Sequence, residues 1–440
     1  MRKTFLFIPF LVGLFFIAGC GGGVEEQSPT TPNANAGMDQ IVFVNLQCQL
    51  DGSLSIGNLA AYQWKVKTIP SGTVPSIVSG NSRKAYFTPT AVGTYELELE
   101  LSNALGVSTD EVKYSVVAFS APTAEAGFYG VCAHLQSHDD VIPAQMIKDI
   151  GANFVRFDFD WADIEPRDDE FVFSKYDQII NKLQSQNIKV LGILDYGNSW
   201  SNPTSGDTEE INRFADYVYN TVKHFKADVK TWQVWNEPNN EVFWLGPNAS
   251  NYVKLLKSAY GAVKQADPLA VVVLGGLVGD GVNEVYFPEY NVRFAVANFL
   301  PNIYINGGKD YFDVAAIHPY TSATDVGSTA SIEAAIDLAR SVMSSNGDTG
   351  KELWITELGP LFFPPIVMPP LSNRGYSDTE IAGWLNLIYT NLKNKCAKLF
   401  WYEFRDYPGA TTIQNPNWEG LVRSDLSTKE AYAAYKDLVK

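Results

Sequence analysis

Residues 232–240, WQVWNEPNN, join two kinds of sequence within one short stretch. The first part alternates apolar and other side chains in the manner of a β-strand. That strand ends abruptly at Asn236, Glu237 and Pro238. A carboxylate therefore stands where the chain leaves a buried strand, which is a costly place for a charge unless another group pairs with it. We expect the strand to belong to a larger repeating pattern and Glu237 to have a chemical role.

Eight such apolar runs alternate with amphipathic, helix-like stretches through residues 128–440. The predicted strands are residues 129–133, 154–159, 189–194, 229–235, 270–274, 312–317, 352–356 and 398–402. The predicted helices include residues 176–186, 209–225, 251–265, 332–343 and 381–395, and a capping box at residues 377–380 precedes the last. Eight βα units of this size predict a (β/α)8 TIM barrel, an α/β fold. A doubly wound open sheet is the alternative, but the sequence lacks the glycine-rich phosphate turn that such a sheet would need.

Residues 34–119 have a different texture, in which short runs of period two are separated by Gly, Pro, Asn and Ser. This pattern predicts an all-β sandwich with Trp64 as a core plug and Tyr95 as a tyrosine corner. The segments ANAG at 34–37, LDGS at 50–53 and YQW at 62–64 resemble a PKD-type immunoglobulin-like module. The resemblance implies a spacer, with sugar binding as the alternative. Residues 120–127 read as a linker to the barrel.

The first 20 residues predict an export signal. Arg2 and Lys3 precede an apolar run that ends in Ile-Ala-Gly-Cys at Cys20, which resembles a bacterial lipoprotein cleavage box. The resemblance implies acylation of Cys20 and attachment to the bacterial envelope, and the glycine that follows it indicates the outer membrane. Residues 21–33 would then be a flexible tether. The alternative is an ordinary signal peptide with an incidental cysteine.

The formal charge of −16 and the pI near 4.7 argue against a nucleic-acid partner, because phosphate binding depends on clustered Lys and Arg. The remaining cysteines, Cys48, Cys132 and Cys396, match no disulfide or metal pattern and are interpreted as buried thiols. The four histidines form no ligand pair of the zinc type. We therefore expect no metal and no cofactor, a neutral substrate, and a monomer whose contact with a membrane is the lipid anchor.

Polar residues cluster where the predicted barrel strands end. The fourth strand ends in Asn236 and Glu237, the sixth in His318 and Tyr320, and the seventh in Glu357. The carboxyl ends of barrel strands share one mouth, so we expect Glu237 and Glu357 to face each other across it. Two carboxylates that flank a sugar can divide the work of attack and proton transfer. The second strand adds Arg156 and Asp158, and the first strand ends at His134, which could reach the sugar or be structural.

The motifs WNEP at 235–238, HPY at 318–320 and WITELG at 354–359 resemble the clan A glycoside hydrolases, whose fold is this barrel. The motif IEP at 164–166 and residues 171–177 and 194–198 look most like family 39 and its exopolysaccharide-cleaving relatives, with family 5 next. The resemblance implies a retaining β-glycosidase. By it, Glu237 is the acid/base, Glu357 the nucleophile and Asn236 a donor to the sugar 2-OH. Arg156 and Tyr320 would hold the nucleophile, and His318 would line the mouth. Arg156 could instead form a structural ion pair with Asp158.

Aromatic residues also fall at or just after the strand ends, where a sugar ring could stack on them. They are Trp161, Tyr196, Trp200, Phe243, Trp244, Tyr320, Trp401 and Trp418. Together they favour an extended cleft and an enzyme that cuts within β-linked chains. The proline-rich residues 359–370 are interpreted as a wall of that cleft, or alternatively as a dock for the sandwich. A non-catalytic sugar-binding lipoprotein and an envelope scaffold are the other functions considered.

Overall fold

A computed structural model describes residues 29–72, 74–137, 143–279, 295–320, 328–359, 377–406 and 420–440. The predicted signal, Cys20, most of the tether, His138, residues 360–370 of the proline-rich segment and Trp418 lie outside these ranges. No helix in the described ranges is long and apolar enough to cross a bilayer.

Seven strands form the N-terminal domain. They are β1 (Gln40–Phe43), β2 (Cys48–Asp51), β3 (Ala61–Thr68), β4 (Ile77–Val78), β5 (Lys84–Phe87), β6 (Gly93–Asn103) and β7 (Gly106–Val117). One sheet has the order β1-β7-β6-β3 and the other β2-β5-β4. Alternate residues of β6, from Tyr95 to Leu101, are buried between the sheets, which is the period-two burial expected of a sandwich. The predicted sandwich is therefore present.

The two residues predicted to mark the sandwich core take the expected places. Trp64 is buried, and its indole nitrogen donates a hydrogen bond to the carbonyl of Ser82 at 3.2 Å. The hydroxyl of Tyr95 accepts hydrogen bonds from the backbone N–H groups of Thr90 at 3.1 Å and Ala91 at 3.0 Å. This is the geometry of a tyrosine corner, as predicted.

Eight parallel strands close the barrel that follows. They are β8 (Tyr129–Cys132), β9 (Phe154–Asp160), β10 (Lys189–Asp195), β11 (Thr231–Asn236), β12 (Val271–Val278), β13 (Val314–His318), β14 (Glu352–Leu358) and β15 (Lys398–Trp401). The described helices are α1 (Ala144–Asp149), α2 (Trp161–Ile164), α3 (Ser174–Gln184), α4 (Thr208–Phe225), α5 (Ala249–Ala266), α6 (Leu300–Ile305), α7 (Ala330–Ser345), α8 (Asp378–Leu392) and α9 (Glu430–Val439). The predicted TIM barrel is confirmed, and α8 begins at the predicted capping box.

The floor of the barrel, where the strands begin, is closed by a buried cation. Lys398 opens β15 and is only 3% exposed. Its ammonium donates hydrogen bonds to the carbonyls of Glu125 and Gly127, the latter at 2.8 Å, both in the predicted linker. The same ammonium lies 4.6 Å from the ring centre of Phe154 and 4.8 Å from that of Trp354. The linker therefore forms part of the floor rather than a free connection.

The sandwich packs directly on the barrel helix α5. The backbone N–H of Gln49 donates to the side-chain oxygen of Gln265 at 2.8 Å, and the Gln265 amide donates back to the Gln49 carbonyl at 2.9 Å. A Cβ at Gly261 would lie 2.5 Å from the Gln47 carbonyl oxygen. Only glycine lets the two backbones approach this closely.

A second set of contacts joins the sandwich to α4. The Tyr86 hydroxyl donates to the Asn212 carbonyl at 2.9 Å, and the Lys84 ammonium lies 2.5 Å from a carboxylate oxygen of Asp216. Tyr86, Asn212 and Asp216 are all buried. The sandwich is thus docked against the barrel, which a pure spacer would not require.

Candidate active site

Glu237 follows the last residue of β11 in an unusual backbone conformation. Its φ is +44°, and that of Trp235, two residues earlier, is +69°. Positive φ is uncommon for residues other than glycine, and such conformations cluster at functional sites. The abrupt end of the strand that the sequence indicates is therefore a real break in backbone geometry at the carboxylate.

Three side chains from three strands converge at the mouth. One carboxylate oxygen of Glu237, one of Glu357 and one ring nitrogen of His318 all lie within 4.8 Å of one another. Glu237 and Glu357 are 4% and 9% exposed, and His318 is fully buried. The two glutamates therefore face each other across a narrow opening, as the 120-residue interval between them predicts.

Glu237 lies among neutral partners. One of its oxygens accepts a hydrogen bond from the Asn240 amide at 2.7 Å, and the other lies 2.8 Å from Nδ1 of His318. Burial raises the pKa of Glu237 to about 7, although the Asn240 hydrogen bond and the charge of Arg156 both act to lower it. This carboxyl can therefore hold or release a proton near neutral pH, as a general acid/base must.

Glu357 lies among stronger donors. Its Oε1 accepts a hydrogen bond from the Tyr320 hydroxyl at 2.7 Å, and its Oε2 accepts one from Nη1 of Arg156 at 3.0 Å. A guanidinium hydrogen bond to a carboxylate is about twice as strong as one between neutral groups. The two carboxyls therefore have different surroundings, which is the arrangement that assigns different roles to a pair of acids.

Arg156 is held by several groups at once. Its Nη2 donates to the side-chain oxygen of Asn236 at 2.7 Å, and its Nε donates to that of Gln233 at 3.2 Å. Its ion pair is with Glu357. Among the contacts of the described residues it forms none with Asp158, so the alternative of a structural Arg156–Asp158 pair is not observed.

His318 is a neutral bridge between strands. Burial, with a smaller effect from the charge of Arg156, lowers its pKa to about 3 even though the charge of Glu357 opposes this. Its Nε2 lies 2.9 Å from the Thr356 hydroxyl, opposite the nitrogen that faces Glu237. Gly276 on β12 makes room for the ring, because a Cβ at that position would collide with Nε2.

A second polar group lies beside the glutamate pair. The ring of His134 lies 3.6 Å from Asp158, 3.7 Å from Glu403 and 3.1 Å from the Tyr402 hydroxyl. Burial tends to lower the pKa of His134, but the neighbouring carboxylates of Asp158, Glu403 and Glu357 raise it to about 9. Asp158 also accepts a hydrogen bond from Gln136 at 2.6 Å. The sequence expectation that His134 and Asp158 stand at the mouth agrees with these positions.

Three predicted sugar-stacking residues have no exposed face. Trp161, Trp244 and Trp401 are fully buried. Trp161 stacks on Tyr217, and Trp244 packs edge-on against Trp235. Trp401 lies within β15. The expectation that they bind sugar is wrong for this structure, because side chains of the barrel helices pack against these rings. The covering residues are Tyr217 of α4 on Trp161, Tyr252 of α5 on Trp244 and Trp384 of α8 on Trp401.

Other aromatic residues keep some exposure. Tyr196, Trp200, Phe243 and Tyr320 are partly buried. Tyr196 stacks on Phe243 with ring centres 5.9 Å apart and planes tilted by 16°. These residues are the aromatic surface at the mouth that the described residues offer to a ligand.

Besides Gln233 and Tyr402, which contact Arg156 and His134, sequence reasoning missed four polar residues of the site. Asn240 donates a hydrogen bond to Glu237, and Thr356 contacts His318. Gln136 contacts Asp158, and Glu403 contacts His134. A signal existed for Glu403, because it follows an apolar strand in the same way as Glu237 does. Burial raises its pKa to about 7. The other three have no sequence pattern that separates them from ordinary loop or strand residues.

Two groups of side chains have oxygen and nitrogen atoms close enough to share a metal ion. They are Glu237, His318 and Glu357 at the mouth, and Glu165, Asp169 and Asp216 beside the sandwich. A cation at the mouth would compete with Arg156 for Glu357, and one beside the sandwich would compete with Lys84 for Asp216. In each group, one carboxylate is therefore already paired with a cationic side chain.

Comparison with known proteins agrees with this geometry. The family model described as Cellulase (glycosyl hydrolase family 5) matches residues 120–403. A β-xylosidase of Geobacillus stearothermophilus is 30% identical over 169 residues, which cover 34% of this chain and 31% of that protein. An endo-1,4-β-xylanase A of Phanerodontia chrysosporium is 26% identical over 204 residues, covering 44% of this chain and 41% of that protein. The chain thus matches less than half the length of either relative.

Solved structures share the fold at lower identity. A family 39 glycoside hydrolase from Bacteroides cellulosilyticus WH2 has a TM-score of 0.56 and 23% identity, covering 93% of this chain and 82% of that one. A family 39 β-xylosidase from Caulobacter crescentus has a TM-score of 0.54 and 18% identity, covering 73% and 72%. The motifs rank family 39 ahead of family 5, whereas the family model matches family 5. The expected clan A of (β/α)8 glycoside hydrolases is confirmed, and within it the chain belongs to the cellulase family, glycosyl hydrolase family 5.

Proposed function

We propose that this chain hydrolyses β-linked polysaccharides or oligosaccharides with retention of configuration at the anomeric carbon. The observation that carries the proposal is the approach of Glu237 and Glu357 to within 4.8 Å. Retaining enzymes hold their two carboxyls about 5–5.5 Å apart, whereas inverting enzymes leave about 6.5–9.5 Å for a water molecule. The short separation supports direct attack by one glutamate.

In the first step, an oxygen of Glu357 attacks the anomeric carbon and the bond to the leaving oxygen breaks. Glu237 donates its proton to that oxygen, so the departing sugar leaves as an alcohol and a glycosyl ester remains on Glu357. The pKa of Glu237 near 7 supports this role, because the carboxyl must be protonated before the bond breaks.

In the second step, Glu237 takes a proton from a water molecule whose oxygen attacks the anomeric carbon. The ester bond breaks, and Glu357 returns to its carboxylate form. Tyr320 and Arg156 orient that carboxylate in both steps. Asn236, fixed by Arg156, is the proposed donor to the sugar 2-OH.

We propose β-1,4-linked xylan and related β-glycans as the first substrates to test, because the two curated relatives are named for xylosidase and xylanase activity. Cutting within the chain remains the proposed mode. The partly exposed side chains of Tyr196, Trp200 and Phe243 support this mode, because they could contact several sugar units of a chain, whereas the buried tryptophans could not.

The proposed location is the outer membrane, where an acyl chain on Cys20 would anchor the mature protein. The proposed oligomeric state is a monomer. We also propose that the sandwich is a PKD-type immunoglobulin-like module. Incorporation of labelled palmitate that disappears in Cys20→Ser would support the anchor, whereas equal labelling of that variant would contradict it.

The central experiment incubates the mature chain with xylan, β-glucans, mannans and bacterial exopolysaccharides and sizes the products. Glu357→Ala is the control for contaminating activity. NMR of the first products of wild type should give the β-anomer. Release of the α-anomer from a β-linked substrate would contradict the retaining mechanism, and no hydrolysis of any β-glycan would contradict the proposed activity.

A further inference from the structure

Five exposed aliphatic side chains lie at one end of the sandwich. They are Leu54, Ile56, Leu59, Leu105 and Val107, with exposures of 75%, 62%, 70%, 56% and 65%. We call this group the apolar tip. Single exposed aliphatics are ordinary on protein surfaces, but several together mark contact sites for proteins or membranes.

Hydrogen bonds hold the segments of the tip together. The Asn103 amide, at the end of β6, donates to the carbonyl of Thr30 at 2.7 Å and to that of Asn58 at 3.2 Å. Asn33 forms a backbone pair with Ile56, and Val107 of β7 pairs with Ser102 of β6 next to the turn that joins the two strands. The tip is therefore a built surface formed by residues 29–33, 54–59 and 102–107.

The tip also differs from the rest of the molecule in charge. Residues 29–37, 52–60 and 101–108 contain no charged residue, whereas the whole chain has a net charge of −16. These segments contain no aromatic residue either, so they lack the flat faces on which sugars stack. The chemistry suits a hydrocarbon surface better than a polysaccharide.

The chain reaches the tip directly from the proposed anchor. Cys20 and Pro29 are nine residues apart, and an extended chain of that length spans at most about 30 Å. Thr30, the first residue bonded to the tip, is one residue further on and would be held within about 35 Å of an acylated Cys20. If Cys20 is acylated, this short tether holds the end of the sandwich that carries the aliphatic side chains close to the bilayer.

We propose that the apolar tip lies on the lipid bilayer that holds Cys20, with its aliphatic side chains in the interfacial region. The inference rests on the proposed anchor and is independent of the chemistry proposed for the barrel. Burial of several aliphatic groups at the interface adds to the binding supplied by the acyl chain. Because the sandwich is hydrogen-bonded to α4 and α5, this contact would also fix the direction in which the barrel mouth points.

The test places a fluorescent probe on the mature acylated chain in phosphatidylcholine vesicles. Leu105→Cys, at a position that is 56% exposed, carries an environment-sensitive dye, and Ile305→Cys on α6, at a position that is 78% exposed, is the control. The native Cys48, Cys132 and Cys396 are buried and should label slowly. Vesicles with and without nitroxide-labelled lipid then report contact with the bilayer, and flotation reports anchoring.

We expect the probe at position 105 to shift to the blue and to be quenched by nitroxide lipid, while the probe at position 305 stays unquenched. Adding Leu54→Asn and Leu59→Asn should reduce both effects without changing hydrolysis of soluble substrate. Loss of flotation would show that the chain is not anchored to the vesicles, which would contradict both the proposed anchor and this inference. Normal flotation with a water-exposed probe at position 105 would contradict the contact between the apolar tip and the bilayer but not the anchor. A blue shift without quenching would also contradict that contact, and it would indicate a protein partner such as a second copy.

Discussion

Lys398 at the floor of the barrel and Arg156 at its mouth are both buried cations on parallel strands, 3% and 4% exposed. The floor ammonium is satisfied by two backbone carbonyls and two aromatic faces, none of which can exchange a proton near neutral pH. The mouth guanidinium is bonded to the Glu357 carboxylate and to the side-chain amides of Asn236 and Gln233. Glu357 and Asn236 lie near the ends of their strands, where a ligand would bind. The same fold therefore buries charge at one end for closure and at the other for chemistry. The comparison predicts that mouth substitutions reduce activity and that floor substitutions change stability.

The largest effect should come from Glu357→Ala. The variant lacks the attacking oxygen, so turnover should fall on the order of 10⁴-fold or more. Loss of the carboxylate removes the ion pair of the buried Arg156, which should lower the free energy of unfolding. Arg156 keeps its hydrogen bonds to Asn236 and Gln233, so the variant should still fold, and thermal unfolding can check this. Glu430→Ala, an exposed position on α9, is the control and should match wild type. A variant with more than a tenth of wild-type turnover would exclude Glu357 as the nucleophile.

Glu237→Ala should have the next largest effect, about 10²- to 10⁴-fold on substrates that need a proton on the leaving oxygen. Dinitrophenyl glycosides need no proton, so their first step should survive. Added azide should then rescue the second step and give a β-glycosyl azide, which NMR can identify. Equal losses of turnover on substrates with good and poor leaving groups would contradict the assignment of Glu237 as the proton donor.

Asn240→Ala should have a smaller effect, which appears mainly in the pH profile. The Asn240 hydrogen bond lowers the pKa of Glu237, so its loss should raise that pKa above about 7. Because the protonated form is the active acid, kcat/KM falls as pH rises through this pKa, and the falling limb should move to higher pH. The change at pH 7 should be small, at most about twofold, because about half of the Glu237 carboxyls are already protonated at a pKa of about 7. Asn302→Ala on α6 is the control, and a limb that moves to lower pH would contradict the role of Asn240.

The smallest effect on activity should come from Lys398→Met at the floor, where turnover per folded molecule should not change. Burial lowers the pKa of Lys398 from 10.5 to about 8. Between these values the unfolded chain binds more protons than the folded one, so this group makes wild type more stable as pH rises. The free energy of unfolding of wild type relative to Lys398→Met should therefore increase from about pH 8 to pH 10.5. Urea titrations at several pH values, with Lys436→Met as control, measure this difference, and a decrease would contradict it.

Strand positions and the two glutamates were predictable because both depend on local sequence. A barrel strand shows itself by its apolar run, and Glu237 and Glu357 show themselves by following such runs. The burial of Trp161 and Trp244 was not predictable, because it depends on how the helices α4 and α5 pack, which places Tyr217 on Trp161 and Tyr252 on Trp244. The roles of Asn240 and Thr356 likewise arise from side chains brought together by the closed barrel.

The docking of the sandwich could not be predicted either. Its contacts join residues more than 100 positions apart, for example Gln49 with Gln265. Neither residue differs in sequence from a solvated surface glutamine. The tyrosine corner at Tyr95 was predictable because its partners, Thr90 and Ala91, lie in the same turn.

The contact between the sandwich and the barrel requires a particular residue type in the barrel sequence, the glycine at position 261 of α5. Glycine in a helix interior costs about 1 kcal/mol relative to alanine, so α5 accepts a weaker helix in order to admit the carbonyl of Gln47. A barrel of this kind without an attached sandwich would have no use for that weakness and would gain helix stability from alanine. The residue type at this single position of α5 therefore serves as a sequence marker for a second domain docked on the barrel wall.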